Sequence, residues 1–370
     1  MNRRVSDEEI DIVDFDGLKL FMFKHDYLYD HAIPQERKNQ SLQAYQQLTR
    51  RQGYPRSVVT PENVQRLSQA RYGVYIFMHH LWQRGVDFAV LDIGSHVGEF
   101  SLKMGNYIRT FARANRVIAF EPSEVGELVR YSIELNGLES IVEHEDLAVS
   151  EFDGLMLFAF TRGYSDGGHI IREDTRAQGR FGRLSHFWRQ SMRGKSLSSK
   201  IECVGKVLKS KLGRLVPGSR RVSSSTLVVH SVDILSYLEK HHCDQHLFVK
   251  IDVEGSDWVI IGRLLKLLPT RLVSIIFEFA PTQVAGGFEQ ARSYLEGLCD
   301  FFHLFDLFYV SNPTRFDLIA PAEIRRFVTE VASREPGYTD VFMLDKRIPE
   351  CDQLLRRLSS LSAEPDRMVL

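Results

Sequence analysis

Apolar residues in this chain gather in short strand-like runs, some interrupted by polar residues, separated by longer stretches with helical spacing. The runs cover Phe88 to Leu91, Arg116 to Phe120, Ile141 to Val149, Leu227 to Val232, Leu247 to Ile251 and Val273 to Phe279. Continuous apolar runs of this length are the mark of strands buried on both faces, as in parallel sheets. Between them, residues 123–135 carry a helical pattern that stops at Asn136-Gly137, a C-terminal cap signal. Residues 233–241 form a second such segment. Upstream, Pro61 to Arg84 places Val64, Leu67, Ala70, Val74, Phe77 and Leu81 on one helical face. Residues 8–23 alternate as a hairpin does around Asp16-Gly17, and residues 26–60 are polar and irregular. Segments 303–310 and 340–345 are expected to close the sheet as an antiparallel pair. The fold class is α/β, with helices on both faces of a mostly parallel sheet.

Chemistry concentrates where these runs end. The first is followed by Asp92-Ile93-Gly94-Ser95-His96-Val97-Gly98, a D-x-G-x-x-x-G turn. Glycines there let the backbone approach a ligand closely, and open α/β sheets bind ligands at the carboxyl ends of their strands. A pyrophosphate site wants backbone donors and no nearby carboxylate. Asp92 therefore suits a ligand with a cationic amino group, such as S-adenosylmethionine (SAM), which has no phosphate. The second run ends in Glu121, placed to hydrogen-bond both ribose hydroxyls. Nicotinamide enzymes also keep an acid there, but their fingerprint is G-x-G-x-x-G, and the position of its second glycine is His96. Near the end of the third run, Asp146 offers an acceptor for an adenine amino group, with Leu147 against the ring; the alternative for Asp146 is an ordinary strand-end turn.

Two further segments, Phe248 to Trp258 (FVKIDVEGSDW) and Val273 to Glu278 (VSIIFE), join DIGSHVG, AFEPS, ELNGL and DLAVS in a recognisable order. Together they resemble the FkbM-type SAM-dependent methyltransferases from about residue 85 to about residue 345, minus a central insertion. The resemblance implies a class I (Rossmann-like) methyltransferase fold with a seven-stranded sheet and O-methylation of a hydroxyl on a sugar or natural product. The expected cofactor-binding residues are Asp92, Gly94, Ser95, Gly98, Glu121, Asp146 and Leu147. Members often carry a small residue where His96 stands, so His96 is expected to narrow or modify the cofactor pocket.

Length and composition leave room for this. At 370 residues and 44% apolar content the chain can bury a large core. We expect an N-terminal hairpin and helical extension over 1–85, a methyltransferase domain over 86–345 and a C-terminal helix and tail over 346–370. The start of the chain carries no apolar signal segment, and the longest apolar-rich window, Tyr72 to Trp82, is too short to span a bilayer. The four cysteines are widely spaced, which indicates neither a zinc site nor a disulfide framework. A cytoplasmic location is expected. Residues 176–221 stand apart: 13 Lys or Arg against one acid, Glu202, leave the rest of the chain at −13 within a total of −1. Leu197, Ile201, Val204, Leu208, Leu212 and Leu215 share one helical face there, near Phe187 and Trp188. Such a segment suits peripheral contact with the anionic inner face of a membrane, and equally a lid or packing helix.

For catalysis the expected groups are Asp252 and Glu254 after the fourth strand, as base or substrate-orienting group, with Lys250 alternating onto the face of Asp252. In one alternative, Asp252, Glu254 and Glu278 hold a magnesium ion. In another, Glu254 caps the following helix and Lys250–Glu278 is a structural ion pair. The loop Ser165 to His169 offers His169 as a general base near neutral pH. The acceptor is expected to be a glycan, glycolipid or small natural product. An RNA methyltransferase is a second reading, favoured by the basic segment and disfavoured by the motif after the fourth strand; a non-catalytic SAM-fold scaffold is a third. The run His241 to His246 (HHCDQH) resembles a metal site but falls at the wrong edge of the sheet.

Overall fold

The computed structural model describes residues 10–15, 18–23, 74, 76–111, 116–123, 125–161, 164–171, 224–253, 256–284, 286–307, 317–333 and 337–360. The basic segment 176–221, Glu254 and most of the expected helix before residue 76 lie outside them.

The N-terminal alternation is a hairpin, β1 (Ile10–Phe15) with β2 (Leu18–Phe23), in a register that pairs Phe15 with Leu18 across Asp16-Gly17. Helix α1 (76–83) leads into the main sheet. Its strands are β3 (Phe88–Ile93), β4 (Val117–Phe120), β5 (Val142–Glu145), β10 (His246–Ile251), β11 (Val273–Phe279), β12 (Phe302–Asp306), β13 (Asp317–Ile319) and β14 (Thr339–Asp345). Their order across the sheet is β13-β12-β14-β11-β10-β3-β4-β5. The strands β5, β4, β3, β10 and β11 run parallel. Strand β14 runs antiparallel between β11 and β12, and β13 adds an eighth strand where the sequence led us to expect seven. The apolar runs are strands for the expected reason: β3, β4 and most of β11 are buried at nearly every residue, because helices cover both faces.

One face carries α1, α2 (Glu99–Phe111), α3 (Gly126–Leu135) and α8 (Cys351–Ser360), which pack on Val90, Phe248, Ile276 and Phe342. The other carries α4 (Ile234–Lys240), α5 (Asp257–Leu264), α6 (Gly287–Leu298) and α7 (Ile324–Ser333), packed on Leu91, Val249, Phe277 and Met343.

Two sequence expectations change. The third run is not one strand: the chain breaks at Asp146-Leu147, sending β5 into the main sheet and β6 (Ala148–Ser150) into a second one. That second sheet, ordered β6-β9-β7-β8, also takes β7 (Gly154–Thr161), β8 (Tyr164–Ile171) and β9 (Ser224–Asp233), so Leu227 to Val232 does not resume the main sheet. The segment expected as a loop, Ser165 to His169, lies within β8, with His169 opposite Ala159 of β7. Bidentate contact of Arg263 on α5 with Asp233, which also caps α4 at the Leu235 N–H, ties the end of β9 to the main body. No described helix is long and apolar enough to cross a membrane.

Candidate functional site

The chain runs from β3 outward through β4 and β5, then returns to place β10 and β11 on the other side of β3. Strand order therefore reverses between β3 and β10, and their carboxyl ends flank the crevice where doubly wound sheets hold ligands. Asp92 closes β3 on the α1–α2 face. It is wholly buried; Ser101 on α2 donates to its Oδ2 at 2.7 Å, and Lys250 Nζ stands 3.7 Å from its Oδ1. That Oδ1 accepts no hydrogen bond among the described residues. Burial pushes the Asp92 pKa up, against the pull of Lys250 and Ser101.

Register explains the grouping. Lys250 pairs with Asp92 across β10 and β3, and two residues on, Asp252 follows Lys250 onto the same face. Lys250 Nζ donates to Asp252 Oδ2 at 3.0 Å. Burial disfavours the ammonium, but Asp252 and Asp92 outweigh it and the lysine pKa rises. Glu278, named as an alternative partner of Lys250, stands opposite Asp340 on β14. Glu278 and Asp340 alternate onto the face of Ile276 and Phe342, so Asp252, Glu278 and Asp340 form a transverse row at the carboxyl edge. Beneath them lies an aromatic floor in which Phe248 meets Phe77 at 5.1 Å and Phe342 at 6.2 Å between ring centres.

The turn after β3 is held by its own protein. Gly94 (φ +80°) passes so close to β10 that a Cβ would lie 2.0 Å from the Asp252 carbonyl oxygen; at Gly98 (φ +82°) a Cβ would lie 2.9 Å from Val129 Cγ1. Both the Gly94 and Ser95 N–H groups donate to the Phe120 carbonyl at 3.0 Å. The Ser95 hydroxyl is buried and has no hydrogen-bond partner among the described residues. Glu121 is buried at the end of β4, where one carboxylate oxygen accepts the His96 N–H and the other the Ser123 N–H, each at 3.1 Å. Its pKa is raised by burial, against those hydrogen bonds. Thus Glu121 grips the turn and presents its remaining lone pairs toward the crevice end of the strand. His96, in the left-handed region at φ +52°, contributes its backbone to that grip.

Asp146 is exposed in the break between β5 and β6, while Leu147 is half-buried against the core of the α4–α7 face. His144 on β5, absent from the sequence expectations, shares a hydrogen bond of 3.3 Å with the Glu121 carbonyl, and burial lowers its pKa to about 4. Asp92, Gly94, Ser95, Gly98, Glu121 and Asp252 are thereby brought to one edge. His169 lies on the second sheet, and Glu254 lies outside the described residues. No group of three or more His, Cys, Asp or Glu side chains suited to a metal ion occurs among the described residues. His241, from the metal-like run, stacks on Tyr237 at 4.1 Å, and His246 accepts the Leu272 N–H at the opposite edge of the sheet.

Asp340 was not among the expected site residues. Its alternation is ordinary; only its register with Glu278 marks it. Water reaches it, although the protein packed around it at the carboxyl edge strips part of its hydration. That burial first, and the charge of Asp252 second, push its pKa up to about 7 against the pull of Lys250.

No protein-family model matches the chain, and no curated protein sequence does. Among solved structures, the methyltransferase FkbM from Methylobacillus flagellatus KT aligns over 70% of this chain at 10% identity and a TM-score of 0.34. The aligned region spans 43% of that protein. A likeness this slight says nothing of chemistry.

Proposed function

We propose that the protein is a SAM-dependent methyltransferase acting on a hydroxyl of a glycan, glycolipid or small natural product. The observation that carries the reading is the carboxylate pair Asp92 and Glu121 at the strand-order reversal. A phosphate-bearing cofactor would meet negative charge here; the neighbouring cation, Lys250, is already engaged by Asp92 and Asp252. A cofactor with an ammonium and no phosphate suits that donor set.

When bound, SAM supplies an electrophilic methyl group on a sulfonium. Glu121 would hold the ribose through lone pairs left over from its grip on His96 and Ser123. Ser95 and Asp92, each buried with an oxygen that lacks a hydrogen bond among the described residues, would meet the amino-acid end. Asp146 would take the adenine amino group. Asp252, fixed by Lys250, would orient the acceptor, and the aromatic floor would exclude water from beneath it.

Calorimetric titration with S-adenosylhomocysteine, with and without magnesium and with Glu121→Ala alongside, tests this. The expected result is binding that the substitution weakens. No binding to a folded sample overturns the reading and brings forward a scaffold role.

A further inference from the structure

Resting on that reading, we propose that Asp340 is the proton acceptor for the acceptor hydroxyl, and that the Asp92–Lys250–Asp252 chain is the device that positions it. Four features of the fold lead there. First, Asp252, Glu278 and Asp340 are lateral neighbours on three adjoining strands, on the crevice side of an aromatic floor. Second, Asp252 is committed to the Lys250 ammonium at 3.0 Å, whereas no ion pair holds Asp340 among the described residues. Third, the fully buried Asp92 Oδ1 accepts no hydrogen bond among the described residues and faces the same lysine, so the ion pairs of Lys250 are divided between Asp92 and Asp252. Fourth, Asp340 is exposed to solvent at the carboxyl edge of the sheet.

The groups that set its charge come from several neighbouring elements: Lys250 on β10, Asp252 just after it, Asp306 at the end of β12 and Asp257 at the start of α5, while Glu278 of β11 stands opposite it in the register. Crowding and the surrounding carboxylates keep Asp340 basic enough to take a proton near neutral pH, whereas an unperturbed aspartate is a weak base there. In the step, the acceptor oxygen gains a bond to carbon as the sulfur–carbon bond breaks, the bonding pair stays on sulfur, and the hydroxyl proton passes to Asp340 Oδ. The same row of carboxylates disfavours acceptors phosphorylated next to the reacting hydroxyl.

The test needs no acceptor. Protein labelled with 13C at aspartate side-chain carboxyls is titrated by NMR, and the Asp340 resonance is the one lost in Asp340→Asn. Should that variant not fold, Asp340→Glu keeps the charge and removes the same resonance. We expect a midpoint near 7. Sinefungin carries an ammonium where the cofactor carries its methyl sulfonium; saturation with it should lower the midpoint by about one pH unit, and neutral S-adenosylhomocysteine should not. A midpoint below about 5, or one that both compounds leave alike, overturns the role of Asp340 while the cofactor reading stands. If neither compound binds, the cofactor reading itself falls, and the base falls with it.

Discussion

Three glycines with positive φ separate two costs that are usually confounded. Gly137 (φ +62°) has open space where a Cβ would stand, Gly98 would press a Cβ on the end of Val129, and Gly94 would drive one to 2.0 Å from the Asp252 carbonyl oxygen. Gly137→Ala therefore meets backbone strain alone, about 1 kcal/mol once the lost freedom of the unfolded chain is set against it. Gly98→Ala adds a contact at 2.9 Å with a side chain that can give, and should cost about 2 kcal/mol. At Gly94 the obstacle is the backbone of a central strand. Real Cβ contacts stay beyond 3.0 Å, so β3 and β10 must separate by about 1 Å where the Asp252 N–H bonds the Ile93 carbonyl at 2.9 Å. Strain, overpacking and a weakened ladder together come to roughly 4 kcal/mol. Urea unfolding of the three variants, compared at constant m-value, measures the order. If Gly94→Ala proves no more costly than Gly137→Ala, the close packing of the turn on β10 is refuted. Glycine would then be there for a ligand alone.

Other outcomes follow from the same edge. Lys250→Met leaves the buried Asp92 carboxylate without its cation and should cost about 3 kcal/mol while Asp92 is ionised; because burial raises the Asp92 pKa, the loss should shrink as the pH falls and Asp92 protonates, and a pH-independent loss would contradict the pairing. His144, with its pKa lowered to about 4, stays neutral in the fold while the unfolded chain takes up a proton below about pH 6.5. Stability should therefore rise by up to about 3 kcal/mol between pH 4 and 6.5, and His144→Gln should flatten that slope in urea titrations. Arg263→Ala strips the bidentate partner from Asp233 and should cost about 2 kcal/mol in thermal unfolding; a value near zero would mean that β9 is held by packing alone.

Much of this edge is legible in the chain because buried parallel strands are written as apolar runs. Asp92, Glu121 and Asp252 each follow such a run directly, and alternation puts Lys250 on the face of Asp252, although the sequence named Glu278 as its possible ion-pair partner rather than Asp252. Pairing across long separations is not legible. Ile141 to Val149 reads as one strand, since nothing local says that Ala148–Ser150 will find Ser231–Asp233 instead of continuing beside β4. The glycines of Ser165 to His169 suggest a loop, but they lie in a strand supported by β7. Asp340 carries no signal of its own; it acquires meaning only when β14 enters antiparallel beside β11 and sets it against Glu278.

The basic stretch of the chain leaves from Ile171, at the end of β8, and returns at Ser224, at the start of β9, both in the smaller sheet. Between them lies only β7, where Leu157 faces Ile171 and Thr161 faces Ser224. Two strand spacings across and four residues along amount to roughly 16 Å, which about five or six extended residues can bridge. Among the described residues, the two strands that carry these anchor points pair with none of the strands that end in Asp92, Glu121 or Asp252. A linker of about that length in place of residues 172–223 should therefore leave the pairing of those main-sheet strands as it is.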